Sequence, residues 1–188
     1  MRPTIALISL AVLAALPSNA SQVHYRTITL DELARRTTHV LFVRRLKPFF
    51  TTETVDITPK GKRPDPAQYP AYRRPVYRFQ VERALRLPKD EKLPKQIEVV
   101  SANDEANLEL HRKYYVEKIG RSPIYESYES PTSRKAEAAE RAILFLVQAR
   151  AKPPRFRYVV QGAAELVSEE PRVKRALAKS GAPSSTEP

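Results

Sequence analysis

Cysteine is missing from all 188 residues. Disulfides, thiolate nucleophiles, zinc–thiolate sites and iron–sulfur clusters are therefore excluded, and stability has to come from core burial. Tryptophan is absent too, and glycine occurs four times against seventeen prolines. That ratio favours stiff, extended connections over flexible ones. Gly61, Gly120, Gly162 and Gly181 lie far apart, so there is no phosphate-cradling loop, dinucleotide fingerprint or Gly-x-Ser-x-Gly elbow. The histidines, His24, His39 and His111, lack His-Glu-x-x-His spacing. Neither a catalytic metal nor a cofactor is expected.

Hydrophobic residues make up 41% of the chain, too many for a wholly disordered polymer, and the length suits one domain with a real core. Residues 1–20 read as a signal peptide. Arg2 is the charged n-region, residues 5–16 are apolar apart from Ser9, and Pro17-Ser18-Asn19-Ala20 ends in a small residue suited to cleavage before Ser21. A helix over that apolar stretch would reach about 18 Å, short of the ~30 Å hydrocarbon core. No later run approaches spanning length. The expectation is export to the periplasm or beyond, with cleavage near Ala20 and no integral span afterwards. The formal net charge is +12. The basic residues are spread rather than blocked, which reads first as solubility and second as attraction to anionic surfaces.

The mature chain is organised around residues 77–100. Tyr77, Phe79 and Val81 alternate with Arg78, Gln80 and Glu82, the period of a half-buried strand. Pro88-Lys89-Asp90-Glu91-Lys92-Leu93-Pro94 reverses the chain, and Ile97 and Val99 resume the alternation, giving a β-hairpin. Arg83 falls in register with the apolar face. Either the strand has left the core there, or a bulge between Arg83 and Ala84 resets the phase.

Other segments read as neighbours of that hairpin. Thr29 with Glu32 three residues on fits a capping box, and residues 29–36 form a short helix buried through Leu30, Leu33 and Ala34. Val40-Leu41-Phe42-Val43 is apolar on both faces and predicts a central strand. Residues 49–57 extend it beyond a kink at Lys47-Pro48, and 51–75, rich in proline, is an inserted loop. Residues 103–119 predict a helix with Leu108, His111, Tyr115 and Ile119 on one face, stopped at Gly120. Residues 121–134 read as an exposed connection and 136–141 as a helical turn. Ala142-Ile143-Leu144-Phe145-Leu146-Val147 is a doubly buried strand, and Arg155-Phe156-Arg157-Tyr158 alternates as its hairpin partner. Pro171, Val173, Ala176 and Leu177 give a closing helix near Gly181, and 179–188 is a disordered tail.

The order of these pieces carries a resemblance. Leu30-Asp31-Glu32-Leu33 leads to His39-Val40-Leu41-Phe42-Val43. Tyr77 to Leu85 and a basic Pro/Lys turn lead to Ile97-Glu98-Val99-Val100, then Glu140 to Leu146, then Tyr158-Val159-Val160. This resembles bacterial exported modules related to the netrin-like fold, shared with tissue inhibitors of metalloproteinases. The resemblance covers about residues 28–178 and implies a small five-stranded OB-like barrel; the expected domain, 21–178, is mainly β, that barrel with a helical insertion and a C-terminal helix added. Animal members use disulfides, and the inhibitors present an N-terminal cysteine to a metal. This chain has no cysteine, so that inhibitory mechanism does not carry over.

Ser101, Asp104 and His111 suggest a triad, but two helical turns separate Asp104 from His111 and no oxyanion hole accompanies them. Glu109 with Lys113 is more simply a surface ion pair. No catalytic residue is assigned, and a non-enzymatic role is expected. The candidate ligand-binding set is basic and aromatic: Tyr69, Tyr72, Arg73 and Arg74, with Arg155, Arg157 and Tyr158. Arginine pairs with phosphate and tyrosine stacks on bases or sugars, although tyrosines packed on the domain beneath solvated arginines explain the same pattern. The expected partner is an envelope or extracellular protein, with an anionic polymer, nucleic acid or acidic glycan, as the alternative.

Overall fold

The computed structural model describes residues 24–56, 58, 61, 63, 65–67, 71–102, 120, 124–150 and 154–181, with His24, Tyr72 and Arg150 described by backbone alone. The expected leader, the 103–119 helix with His111, Tyr69 and residues 182–188 lie outside them. In chain order the elements are β1 (His24–Ile28), α1 (Leu30–Arg36), β2 (His39–Val55), β3 (Tyr72–Arg86), β4 (Gln96–Val100), β5 (Ile124–Tyr128), α2 (Ser133–Ala138), β6 (Arg141–Arg150), β7 (Arg155–Tyr158), β8 (Ala164–Leu166), a 3₁₀ turn (Val167–Glu169) and α3 (Glu170–Ser180). Among them no helix is long and apolar enough to cross a membrane.

The protein is mainly β. A mixed six-stranded sheet runs β2-β3-β4-β7-β6-β8, and β6 pairs back to β2, so the sheet forms a ring. The β4–β7 pairing is parallel and the others in the ring are antiparallel. Both expected hairpins are present: Val76–Gln80 pair with Val100–Gln96, and β6 pairs with β7.

The central strands are buried on both faces, as their unbroken apolar runs require. Leu41, Val43, Ala142, Leu144 and Leu146 pack inside the ring with Phe79, Val81, Ile97, Val99 and Phe156. Their alternates Val40, Phe42, Ile143 and Phe145 form a second core outside it, covered by Leu33 and Ala34 of α1, Tyr128 of β5, and Val173 and Ala176 of α3. The N-cap of α1 is Thr29, whose hydroxyl accepts from the Glu32 N–H. Glu32 itself turns to Arg26 and Arg36.

Several expectations are corrected. The 51–75 segment is not a loop throughout, because Thr51–Val55 pair with Tyr72–Val76 as a ribbon. Thr51, Thr52, Thr54 and Val55 favour strand, and Pro75 is tolerated because pairing of β3 with β4 starts only at Val76. The 121–134 connection contains β5, which pairs in parallel with β1 and buries Tyr125, Ser127 and Tyr128. Its tyrosines supply the apolar surface that a Tyr-Glu-Ser repeat conceals. The helical turn lies at Ser133–Ala138 rather than 136–141. Ser130 Oγ accepts the Thr132 and Ser133 N–H groups there, starting the helix early. Helix α3 runs through Ser180, so 179 and 180 belong to it and not to a tail.

The bulge falls one step earlier than expected. The β2–β3 register slips between Phe42 and Val43, opposite the step from Val81 to Arg83. Arg83 is thereby turned outward, with Cζ 3.5 Å from the Phe42 ring centroid, while Ala84 returns to the ring interior. A larger slip follows on β2. Arg45 pairs with Phe79 but Phe50 with Tyr77, so residues 46–49, including the cis Lys47–Pro48 bond, loop out.

Candidate functional site

The expected basic-aromatic set is only partly assembled. Arg74 Nε donates to Glu53 at 2.6 Å, and Arg155 Nη1 grips both Glu53 oxygens at 3.0 and 2.8 Å. Arg155 also donates to Glu98 at 2.8 Å through Nη2. Burial works against the Glu53 charge, yet Arg74 and Arg155 hold its carboxyl below the usual carboxylate range. Arg74 and Arg155 thus stitch the ribbon to β7 and are charge-compensated. Arg73 and Arg157 are exposed. Tyr158 lies on the opposite face of β7 from Arg155 and Arg157, half-buried and touching both cores. Burial pushes its phenol pKa up.

A different site lies at the mouth of the ring. Leu41, Val43 and Arg45 occupy alternate positions of β2, so the period that aims two aliphatics inward also aims an arginine inward. The Arg45 guanidinium sits 5.9, 5.9 and 5.6 Å from the ring centroids of Phe49, Tyr77 and Phe79. Its Nη2 donates to the main-chain carbonyl of Glu137. Beside it is a hollow of about 280 Å³, lined also by Ser101, Tyr158 and Gln161. A second hollow, of about 240 Å³, is lined by Tyr25, Ser127, Tyr128, Glu129, Ser133 and Arg134. The two share Glu137, Gln161 and Gly162. Each is smaller than the roughly 300–1,000 Å³ of an ordinary ligand pocket.

Among the described residues, two buried side-chain polar atoms lack a hydrogen-bond partner: Arg45 Nε and Ser127 Oγ. Buried polar groups are almost always paired, because stranding one costs about 1–3 kcal/mol. Arg45 lines one hollow and Ser127, only 6% exposed, lines the other. Compared with family models, curated proteins and solved structures, the chain matches none. The site is therefore read from its own chemistry.

The wall shared by the two hollows is framed rigidly. The Tyr128 N–H donates to the Gln161 carbonyl at 2.7 Å, drawing β5 against the turn before β8. Gly162 has φ +75°, and a Cβ there would stand 2.4 Å from the Tyr128 carbonyl oxygen, so only glycine fits. Behind it the wholly buried Glu165 accepts from the Tyr128 and Thr132 hydroxyls, with Arg172 Nη1 3.6 Å away. Burying a carboxyl group without such partners would be costly. At the rim, desolvation lifts the Glu137 carboxyl above its ordinary value against the pull of Arg45 and Arg134. Arg45 and Arg134 against Glu129 and Glu137 leave the lining without a dominant sign. Beside Arg45, Phe49 and Phe50 are 49% and 53% exposed.

Arg45 was legible as an inward position on an alternating strand. Ser127 had no signal, since one serine among Tyr-Glu-Ser repeats says nothing about its surroundings.

Proposed function

We propose that this chain is an exported, non-enzymatic binding module of the netrin-like, OB-barrel kind, holding an envelope or extracellular protein partner at the Arg45 mouth. A ring of β2, β3, β4, β7 and β6 with a parallel β4–β7 contact supports the barrel. The leader-like residues 1–20 support export. The observation that carries the binding reading is the pair of unsatisfied buried atoms, Arg45 Nε and Ser127 Oγ, whose residues line two hollows that share Glu137, Gln161 and Gly162. The solvent-facing Phe49 and Phe50 beside Arg45 add the apolar contact area that protein interfaces use.

The test is site-specific photo-crosslinking in the cells that make the protein. A crosslinking residue at Phe49 should give a discrete protein adduct that disappears with Arg45→Met, whereas one at the exposed Lys174 on α3 should not. No adduct from either position, or equal adducts from both, would reject the reading.

A second reading, an anionic-polymer binder, is supported by the +12 charge and by the exposure of Arg73 and Arg157. It predicts heparin retention that falls steeply with salt and further on Arg73→Ala/Arg157→Ala. The ion pairs that occupy Arg74 and Arg155 count against it.

A further inference from the structure

We infer that the outer half of β2, residues 50–55, is where two copies of this chain join, pairing edge to edge about a two-fold axis at Thr52. This stands apart from the partner reading above, which concerns the Arg45 mouth. On one side β3 accompanies β2 as far as Val55. On the other, β6 pairs with it only from His39 to Arg44, and the Arg45 N–H donates to the Glu140 carbonyl at 2.8 Å where the two part. Among the described residues no strand pairs with residues 50–55 on that side. In an antiparallel ribbon alternate residues turn their N–H and C=O groups away from the partner strand, so this edge presents a row of donors and acceptors. Thr51 and Thr52, on opposite faces of the strand, are both exposed, as is Thr54, and Phe50 is 53% exposed. The strand is therefore open to solvent on both faces.

The charge pattern selects a second copy. Sheets usually guard an open edge with lysine, proline or a bulge. Lys47 and Pro48 lie in the looped-out turn, and residues 50–55 have no lysine, arginine or proline although the chain holds 33 basic residues. Their one charge, Glu53, is already matched by Arg74 and Arg155. A chain of net charge +12 repels its own copies over most of its surface, but not along this stretch. Pair chemistry then sets the register. Antiparallel self-pairing centres on a residue, because opposed residues must present the same side of the backbone. A centre at Glu53 opposes two carboxylates, and a centre at Phe50 or Thr51 draws Pro48, which has no N–H, into the ladder. Centres beyond Glu53 run off the end of β2. A centre at Thr52 opposes the two Thr52 residues, sets Phe50 against Thr54 of the second copy, and sets Thr51 against its Glu53. Arg73, exposed and paired with Thr54 across the ribbon, then reaches over that small side chain to the Phe50 ring of the second copy.

One short strand edge buries less than a standard interface, so the dimer dissociates in the micromolar-to-millimolar range. The experiment is sedimentation equilibrium of the purified full chain across that range, joined to a thiol scan. The chain has no cysteine, so one introduced thiol reports one position. A reversible monomer–dimer equilibrium is expected. Under mild oxidation Thr52→Cys should link into a covalent dimer far faster than Thr54→Cys. A disulfide needs Cα atoms within about 7 Å, and the two Thr54 positions stand four residues apart along the paired strands. Thr52→Lys, a change at an exposed side chain, should weaken the dimer at least about tenfold, and added salt should restore part of the loss. Phe50→Ala and Arg73→Gln should each weaken it about threefold.

A monomer throughout the range would overturn the inference. So would equal linking by the two thiols, or a dimer indifferent to Thr52→Lys. A monomer whose photo-crosslinker at Thr52 captures a different protein would assign the edge to a foreign strand and overturn self-pairing as well. A Phe49 adduct to another protein without a dimer would sink this inference and spare the partner reading. A dimer without any such adduct would sink the partner reading alone.

Discussion

Arg86 donates to the carbonyl of Leu177 at 3.2 Å, and its other terminal nitrogen donates to Ala34. One guanidinium thus completes the C-terminal ends of α3 and α1 together, and it also meets Ser180 Oγ at 2.6 Å and the Gly181 carbonyl at 2.9 Å. Helix C-termini carry partial negative charge and unpaired carbonyls, so a cation there satisfies both. In a chain without cysteine this contact ties together the two helices that cover the outer core. Arg86→Ala should lower stability by about 2–4 kcal/mol, since it strands several carbonyls at once. Urea unfolding checks this: the midpoint should fall with the slope unchanged. A loss below about 0.5 kcal/mol, the size of an ordinary surface change, would show that the contact is incidental.

Acid should weaken the fold through its carboxylates. Arg83 and then Lys174 hold Glu170 down to about 2. Glu82, paired chiefly with Arg141, is also lowered, as is Glu126, where Arg26 and Arg36 outweigh burial. A depressed carboxylate contributes stability above its unfolded value, near 4.3, and loses it as pH falls through the folded value. The urea midpoint of the wild type should therefore drop between about pH 5 and pH 2. Arg83→Gln should flatten that drop, because Glu170 then titrates closer to its unfolded value. Identical slopes in the two proteins would contradict the assignment.

Alkali should act through tyrosine. Burial first and Glu165 second push the Tyr128 phenol up, and burial pushes up Tyr158. The unfolded chain releases these protons near pH 10 while the folded chain keeps them, so stability is full below that pH and falls above it. Tyrosinate absorbance followed with urea unfolding should show a late-ionising class that appears only as the chain unfolds. If every tyrosine ionised near pH 10 in the folded protein, the burial of these two would be refuted.

Much of the ring could be read from the sequence because its strands are two-sided. Val40–Val43 and Ala142–Leu146 have no polar break, and Phe79 and Val81 alternate with polar residues, so burial and period agree. β5 could not be read this way, because Tyr125 and Tyr128 look polar in a run with Glu126 and Ser127, and the strand exists only through its pairing with β1. β8 is three residues long, too short for any period. The basic-aromatic set misled for a related reason. Arg74 and Arg155 look available in sequence, but Glu53 and Glu98 lie far from Arg155 in the chain and meet it only after the ring closes. The two hollows bring together residues from β1, β2, β3, β5, α2, β7 and the turn before β8, a convergence that no local pattern encodes.

The most direct test of the Arg45 mouth as a binding site is a paired measurement of stability and partner capture on Arg45→Met. Methionine keeps the apolar stem of the side chain while removing the guanidinium with its stranded Nε–H. The account predicts an unfolding free energy no more than about 2 kcal/mol below wild type, since loss of the Glu137 carbonyl bond and of the ring contacts is partly offset by relief of an unsatisfied buried donor, together with loss of the Phe49 adduct. A variant destabilised by more than about 2 kcal/mol that still forms the adduct would mean that Arg45 serves the fold and not a partner.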